Sequence, residues 1–262
     1  MGIAFRLDYL GTAFHGWQRQ KNAPTVQQAL EEAFKALTGK EAAFTGCGRT
    51  DAGVHAKGYI ASVREECTIP LDKLPLAMNA RLPMDIAVRE AFSVDEGFHP
   101  VFSCIAKEYT YTIKNSRVRD PFSLNRALFV PAILDREAMV RCAREFVGVH
   151  DFSAMRSLGS NVKTTVREVY EAEVTFEGDR IDIRIRANGF LYNMARTMAG
   201  TLLYAGLGKL REGDITEILE SKDRIAAGPT LEAGGLCMTG VWYPEPYSFL
   251  SRPQDAAKPD VR

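Results

Sequence analysis

The sequence predicts an α+β protein built in two halves, each a set of strands with helices on one side. Three observations carry this. Strand-like and helix-like segments are interspersed along all 262 residues, a length sufficient for two ordinary cores. Period-two runs such as "IAFRLDY" and "RIDIRIRA" recur in both parts of the chain. Helical stripes with capping residues lie between them. The expected division is a first half over residues 1–100, a second over 101–248, and a loose tail over 249–262 that lacks periodicity.

In "IAFRLDY", Ile3, Phe5, Leu7 and Tyr9 alternate with Arg6 and Asp8, as in a half-buried strand. "TVQQALEEAFKALTG" places Thr25 and Gln28 in capping-box spacing. Val26, Ala29, Leu30, Ala33, Phe34 and Leu37 share one helical face, and Gly39 lies beyond the end. Strands are expected near 58–64 and 85–92, with a helix started by Asp72 between them. "FSCIAKEYTYTIKN" reads as a long strand with Tyr109 and Tyr111 on one face.

The second half repeats this grammar. Asp135 caps "REAMVRCAREFVG", with Leu134 and Met139 spaced as a hydrophobic staple and Gly148 at the end. "TVREVYEAEVTF", a turn at "EGD" and "RIDIRIRA" form a hairpin, with Ile181, Ile183 and Ile185 opposite Asp182, Arg184 and Arg186. "GFLYNMARTMAGTLLYAG" is helical, "GDITEILESK" begins at a cap formed by Asp214 and Glu217, and "GLCMTGVWYP" is a last strand closed by Pro244.

Composition narrows the function classes. The chain is 46% hydrophobic and 25% charged, and no apolar run approaches the length of a membrane span. The start, "MGIAFRLDYL", carries Arg6 and Asp8 where a signal peptide is apolar, so the expected location is the cytoplasm. Cys47, Cys67, Cys104, Cys142 and Cys237 are scattered without a C-x-x-C pair, which argues against a disulfide framework or a zinc site. Thirty-three basic residues balance 33 acidic ones. That balance lowers the expectation of a nucleic-acid partner, although a basic cleft can coexist with acidic flanks.

The segment "TGCGRTDAGVHAKG", residues 45–58, sets Asp51 on a glycine-rich connection next to Arg49 and Thr50. Glycines permit positive φ and close approach by a ligand. Turn chemistry alone accounts for such a composition, and the spacing is not that of a phosphate loop.

"GRTDAGVHA" resembles the signature of the tRNA pseudouridine synthase A family, whose essential aspartate is then Asp51. The likeness extends over most of the chain and in order. "LDYLGTAFHGWQRQ" and "PTVQQALEEAF" are similar to the family's opening strand and first helix, and "FSCIAKEYTYTI" to the strand bearing the active-site tyrosine, Tyr109. "ANGFLYNMARTMAG" is similar to the segment bearing the arginine that pairs with the aspartate, Arg196, and "AGPTLEAGGLCMTGVWYP" to the closing strand.

The resemblance implies two ferredoxin-like, RRM-like halves whose antiparallel sheets join side by side around a central cleft, the pseudouridine synthase fold. It implies a homodimer acting on tRNA, at consecutive uridines on the 3′ side of the anticodon stem-loop. Pseudouridine formation breaks C1′–N1 and makes C1′–C5 without redox change or net use of water, so neither metal nor cofactor is expected. Asp51 is the nucleophile or anion, by attack at C1′, addition at C6 or removal of the 2′ proton. Arg196 keeps it ionised, Tyr109 stacks on uracil and assists removal of the C5 proton, and Arg49 aids base flipping.

Phe190 and Leu191 are expected to wall the uracil pocket, and Lys57, Arg156, Lys163, Arg184 and Arg186 to touch phosphates. Each has a plainer alternative: core packing for the first two, a solvated strand face for Arg184 and Arg186. Tyr111 is assigned to the core, and His15 and His55 to structural or RNA-proximal roles. Two departures from the family pattern, Tyr59 in place of a glutamine and Val101 in place of an arginine, bear on one RNA contact. Two other classes compete: RNA binding without catalysis, disfavoured by the intact Arg49, Asp51, Tyr109 and Arg196 set, and N-glycosidic hydrolysis, which normally needs a second carboxylate.

Overall fold

The computed structural model describes residues 1–157, 159 and 162–251. The chain forms two compact units. The first comprises Met1–Lys107 with the described residues from Cys237 onward, the second Glu108–Leu236. This division differs from the expected 1–100 and 101–248: the last strand returns to the first unit.

In the first unit, β1 (Gly2–Tyr9) lies between β4 (Ile86–Val94) and β3 (His55–Val63), antiparallel to both, with Ile3 opposite Val63 and Gly2 opposite Val94. The short β2 (Thr45–Gly46) pairs antiparallel with β3, and β10 (Leu236–Trp242) pairs parallel with β3 at Cys237↔His55. Among its described residues the unit also holds the α-helices α1 (Val26–Thr38) and α2 (Leu74–Asn79).

Local chemistry explains α1. Thr25 Oγ1 accepts from the Gln28 amide at 3.3 Å, and Gly39 ends the helix at φ 73. Only half of the expected capping box forms, because the Gln28 side chain donates to Glu32 at 2.8 Å instead. The apolar face is core: Phe34 packs on Phe44, which packs on Phe5 of β1 at 5.5 Å. The α2 helix follows Lys73 and has no side-chain cap, so Asp72 does not start it.

The second unit contains β5 (Ala106–Asn115, whose first two residues belong to the first unit), β6 (Leu128–Val130), α3 (Arg136–Arg144), β7 (Gly148–Asp151), β8 (Val166–Glu177), β9 (Arg180–Ala187), α4 (Met194–Gly206) and α5 (Asp214–Ser221). Its strand order is β5-β9-β8-β7, with β6 parallel to β5. The β8–β9 hairpin buries Ile181, Ile183 and Ile185 completely, as period two requires. Asp135 caps α3 through the Ala138 amide at 2.9 Å. That helix ends at Arg144, and Gly148 opens β7 opposite Val169.

The N-terminus of α5 is capped from a distance. Gly213 precedes the helix, and Glu145 accepts from the amides of Gly213 and Thr216 at 3.0 Å each. Asp214 is instead the first helical residue, and its carboxylate accepts from the Arg211 amide.

The expected loose tail is a correction over its first residues. Leu250 is buried, Phe249 packs on Phe92 at 5.6 Å, and Arg6 donates to the Phe249 carbonyl at 3.0 Å. The remainder of that expectation, residues 252–262, lies outside the described residues. No helix among the described residues is long and apolar enough to cross a membrane.

Candidate active site

In the first unit, Asp51 is half-buried on the connection between β2 and β3, after exposed Arg49 and buried Thr50. Three hydrogen bonds tie the segment from Gly11 to Trp17 to this connection and to the start of β3. The Trp17 amide donates to the Thr50 carbonyl at 3.2 Å, and the Gly53 amide to the Phe14 carbonyl at 3.2 Å. The Gly11 amide donates to His55 Nδ1 at 2.9 Å. Tyr9 of β1 shares a buried hydrogen bond with the Thr50 hydroxyl at 2.9 Å. Gly16 has φ +84, and a Cβ there would overlap the Thr50 carbonyl. Asp51 is thus carried by a backbone whose neighbours on both sides are pinned. His55 is buried with an acceptor role in that scaffold, while His15 is exposed.

Tyr59 is fully buried. Its hydroxyl donates to the Gly48 carbonyl, and its ring stacks on Trp17 at 4.5 Å and meets Tyr9 at 5.6 Å. The departure at this position therefore supports the Asp51 connection from beneath and presents nothing to an RNA. Val101, the other departure, is exposed.

In the second unit, Tyr109 lies on β5 and Phe190 on the segment after β9, their rings edge to face at 4.8 Å. Tyr109 is 8% exposed, so much of its ring is covered, whereas Phe190 is half-buried. Leu191 is buried. Tyr111, two residues along β5, is core: it is 1% exposed, donates to the Glu232 carbonyl at 2.9 Å, and burial raises its phenol.

Arg196 projects from the first turn of α4. Its Nε donates to the Leu231 carbonyl at 2.7 Å and its Nη1 to Asn193 Oδ1 at 2.9 Å. Asn193 precedes the helix in left-handed backbone at φ 63 and donates through Nδ2 to the Ser157 hydroxyl. Two fixed acceptors therefore set the orientation of the guanidinium plane.

The cations expected at phosphates divide into two groups. Arg184 pairs with Glu173 at 2.5 Å and with buried Glu108 at 3.5 Å, and Arg186 pairs with Glu171 at 2.7 Å. Their charge is matched on the sheet face. Lys57, Arg156 and Lys163 have no side-chain ion pair among the described residues. Lys57 and Lys163 are exposed and Arg156 is half-buried.

Sequence reasoning missed the supporting residues Tyr9, Gly16, Tyr59 and Asn193, and it passed over Lys107. Lys107 shares a face of β5 with Tyr109 by simple alternation, a signal available in "AKEYTYT".

The family described as tRNA pseudouridine synthase matches residues 7–103 and 142–244. A Caldicellulosiruptor bescii protein named tRNA pseudouridine synthase A is 46% identical over 241 residues, covering 92% of this chain and 99% of the relative. Proteins of the same name from Thermoanaerobacter sp. strain X514 and Geobacter sp. strain M21 are 44% and 42% identical, over 90% and 93% of this chain and 97% and 99% of their own. Among solved structures, a Cbf5-Nop10-Gar1 complex aligns with a TM-score of 0.42 at 15% identity, covering 91% of this chain and 48% of that one, a likeness too slight to carry an argument. The full-length relatives and the family match to both units make this chain a member of the tRNA pseudouridine synthase family.

Proposed function

We propose that the protein isomerises uridine to pseudouridine in tRNA, at consecutive positions on the 3′ side of the anticodon stem-loop, as a cytoplasmic homodimer. The observation that carries this reading is the family match across both units, with Asp51 on a turn pinned at Thr50 and Gly53. Detachment and rejoining of uracil require an anion at C1′ or C6, a group that keeps it charged, a surface for the detached base and a route for the C5 proton.

Asp51 supplies the anion. Arg196, its plane set by Asn193 and Leu231, serves as its partner: an opposite charge favours the carboxylate, and a rigid fork orients it. Tyr109 and Phe190 offer ring surface to the base, with Leu191 behind them, and the Tyr109 phenol assists removal of the C5 proton. Because Tyr109 is 8% exposed, uracil reaches its ring where Phe190 leaves it open or moves aside. Arg49, exposed beside Thr50, fills the space of the flipped nucleotide. Lys57, Arg156 and Lys163 contact phosphates. Arg184 and Arg186 are assigned to the charge-matched sheet face.

Nucleoside analysis of unmodified tRNA transcript after incubation with the parent protein and with Asp51→Asn tests the reading. Pseudouridine on the 3′ side of the anticodon arm with the parent alone is the expected result. Free uracil would instead mean hydrolysis, and tRNA binding without either product would mean an RNA-binding relative.

A further inference from the structure

Lys107, the second residue of β5, lies across the glycine that precedes Arg49. Its Nζ sits 3.3 Å, and its Cε 3.9 Å, from the point a Cβ on Gly48 would occupy. A side chain at Gly48 would crowd the ammonium, which lies against the Asp51 connection.

Lys107 is half-buried, yet no carboxylate or hydrogen-bond acceptor pairs with its ammonium among the described residues. Lys114 pairs with Asp179 at 2.6 Å and Lys222 with Asp151 at 3.0 Å, whereas Lys57 and Lys163, which also lack an ion pair among the described residues, are exposed. Two thiols feel the charge of Lys107, but neither is its counter-ion. Burial pushes Cys47 up to about 12 and also raises Cys104, and the lysine reverses this only in part. Taking a cation out of water without pairing it is costly, so this half-buried lysine, set against the residue that precedes Arg49, marks a place where an anion arrives with the substrate. A lysine acts there as a compact point charge with three donors, a chemistry suited to a phosphodiester oxygen.

We propose that Lys107 binds a phosphate of the RNA backbone next to the nucleotide undergoing reaction. The inference rests on the reading above that tRNA is the substrate.

The test is equilibrium binding of a tRNA transcript across a salt series for the parent, Lys107→Met and Lys107→Arg, with thermal melts of each. Loss of one phosphate contact makes the slope of log affinity against log salt shallower by about 0.9. It also weakens binding about tenfold at 0.1 M salt. KM rises accordingly, kcat at saturating tRNA changes far less, and Lys107→Arg keeps the parent's slope. An unchanged slope in a folded Lys107→Met overturns the proposal, as does weaker binding at all salts with the slope intact, which would mean packing alone. Should the methionine variant not fold, Lys107→Gln is read by the same criteria. Binding is measured without turnover. A parent that binds tRNA but makes no pseudouridine therefore defeats the catalytic reading while the slope still decides this one; a parent that binds no tRNA defeats both.

Discussion

The guanidinium of Arg196 donates to Asn193 Oδ1 at 2.9 Å from a residue whose backbone is left-handed, φ 63. Asparagine tolerates that conformation and still offers a side-chain acceptor; glycine tolerates it and offers none. Asn193→Gly is therefore expected to keep the fold and lose the orientation of Arg196. A hydrogen bond to a charged group contributes about 1.5–3 kcal/mol, so kcat should fall about tenfold to a hundredfold while the melting temperature changes little. Single-turnover pseudouridine formation measures this, and an unchanged rate would assign Asn193 to backbone geometry alone.

Gly16→Ala should damage both stability and activity. Alanine at φ +84 is strained, and its Cβ would press on the Thr50 carbonyl that fixes the Asp51 connection. The combined cost is about 2–4 kcal/mol, readable as a lower denaturant midpoint with residual activity well below the folded fraction.

Tyr59→Phe keeps the stack on Trp17 but removes the hydroxyl that reaches Gly48. The Gly48 carbonyl loses its donor, a loss of about 1 kcal/mol, and the connection carrying Arg49 and Asp51 loosens. A fall in kcat with KM for tRNA nearly unchanged is expected; an effect on KM alone would argue for an RNA contact instead.

Arg184→Ala should leave the salt dependence of tRNA binding where it is. Its charge is already matched by Glu173 and Glu108, and the variant should weaken the second unit instead, by uncovering the buried Glu108 carboxylate. A shallower salt slope would return Arg184 to the RNA interface.

Asp151 gives a pH-dependent prediction. Burial pushes its carboxyl up, but hydrogen bonds from the Ser153 hydroxyl, Thr165, Lys222 and the Ser153 amide outweigh this and hold it far below the usual carboxylate range. A depressed folded value means that the stabilisation is complete above the unfolded value of about 3.9 and fades as pH falls through the folded one. Asp151→Asn should melt below the parent at pH 7, and the gap should close only in strong acid.

Signals confined to one stretch of chain were legible without the fold. Thr25 and Gly39 bracket α1, Asp135 starts α3, and the isoleucines of β9 alternate, because capping and periodicity act among residues a few positions apart. The β2, β6 and β7 strands were not legible, since two to four residues carry no period. The cap of α5 comes from Glu145, 68 positions before Gly213, and leaves no mark in the local sequence.

For the candidate site, the sequence by itself determined the residue types and the family: Arg49 and Asp51 on a glycine-rich turn, Tyr109 on a strand, Arg196 on a helix. What only tertiary structure decided is which neighbours hold them and which charges stay unmatched. Tyr59 belongs to a strand buried on both faces, so alternation does not tell inward from outward there. The lack of an anion beside Lys107 among the described residues, like the matched charge of Arg184, depends on side chains brought together from distant segments. Pairing is a property of distances through space, and these form only when the chain has folded.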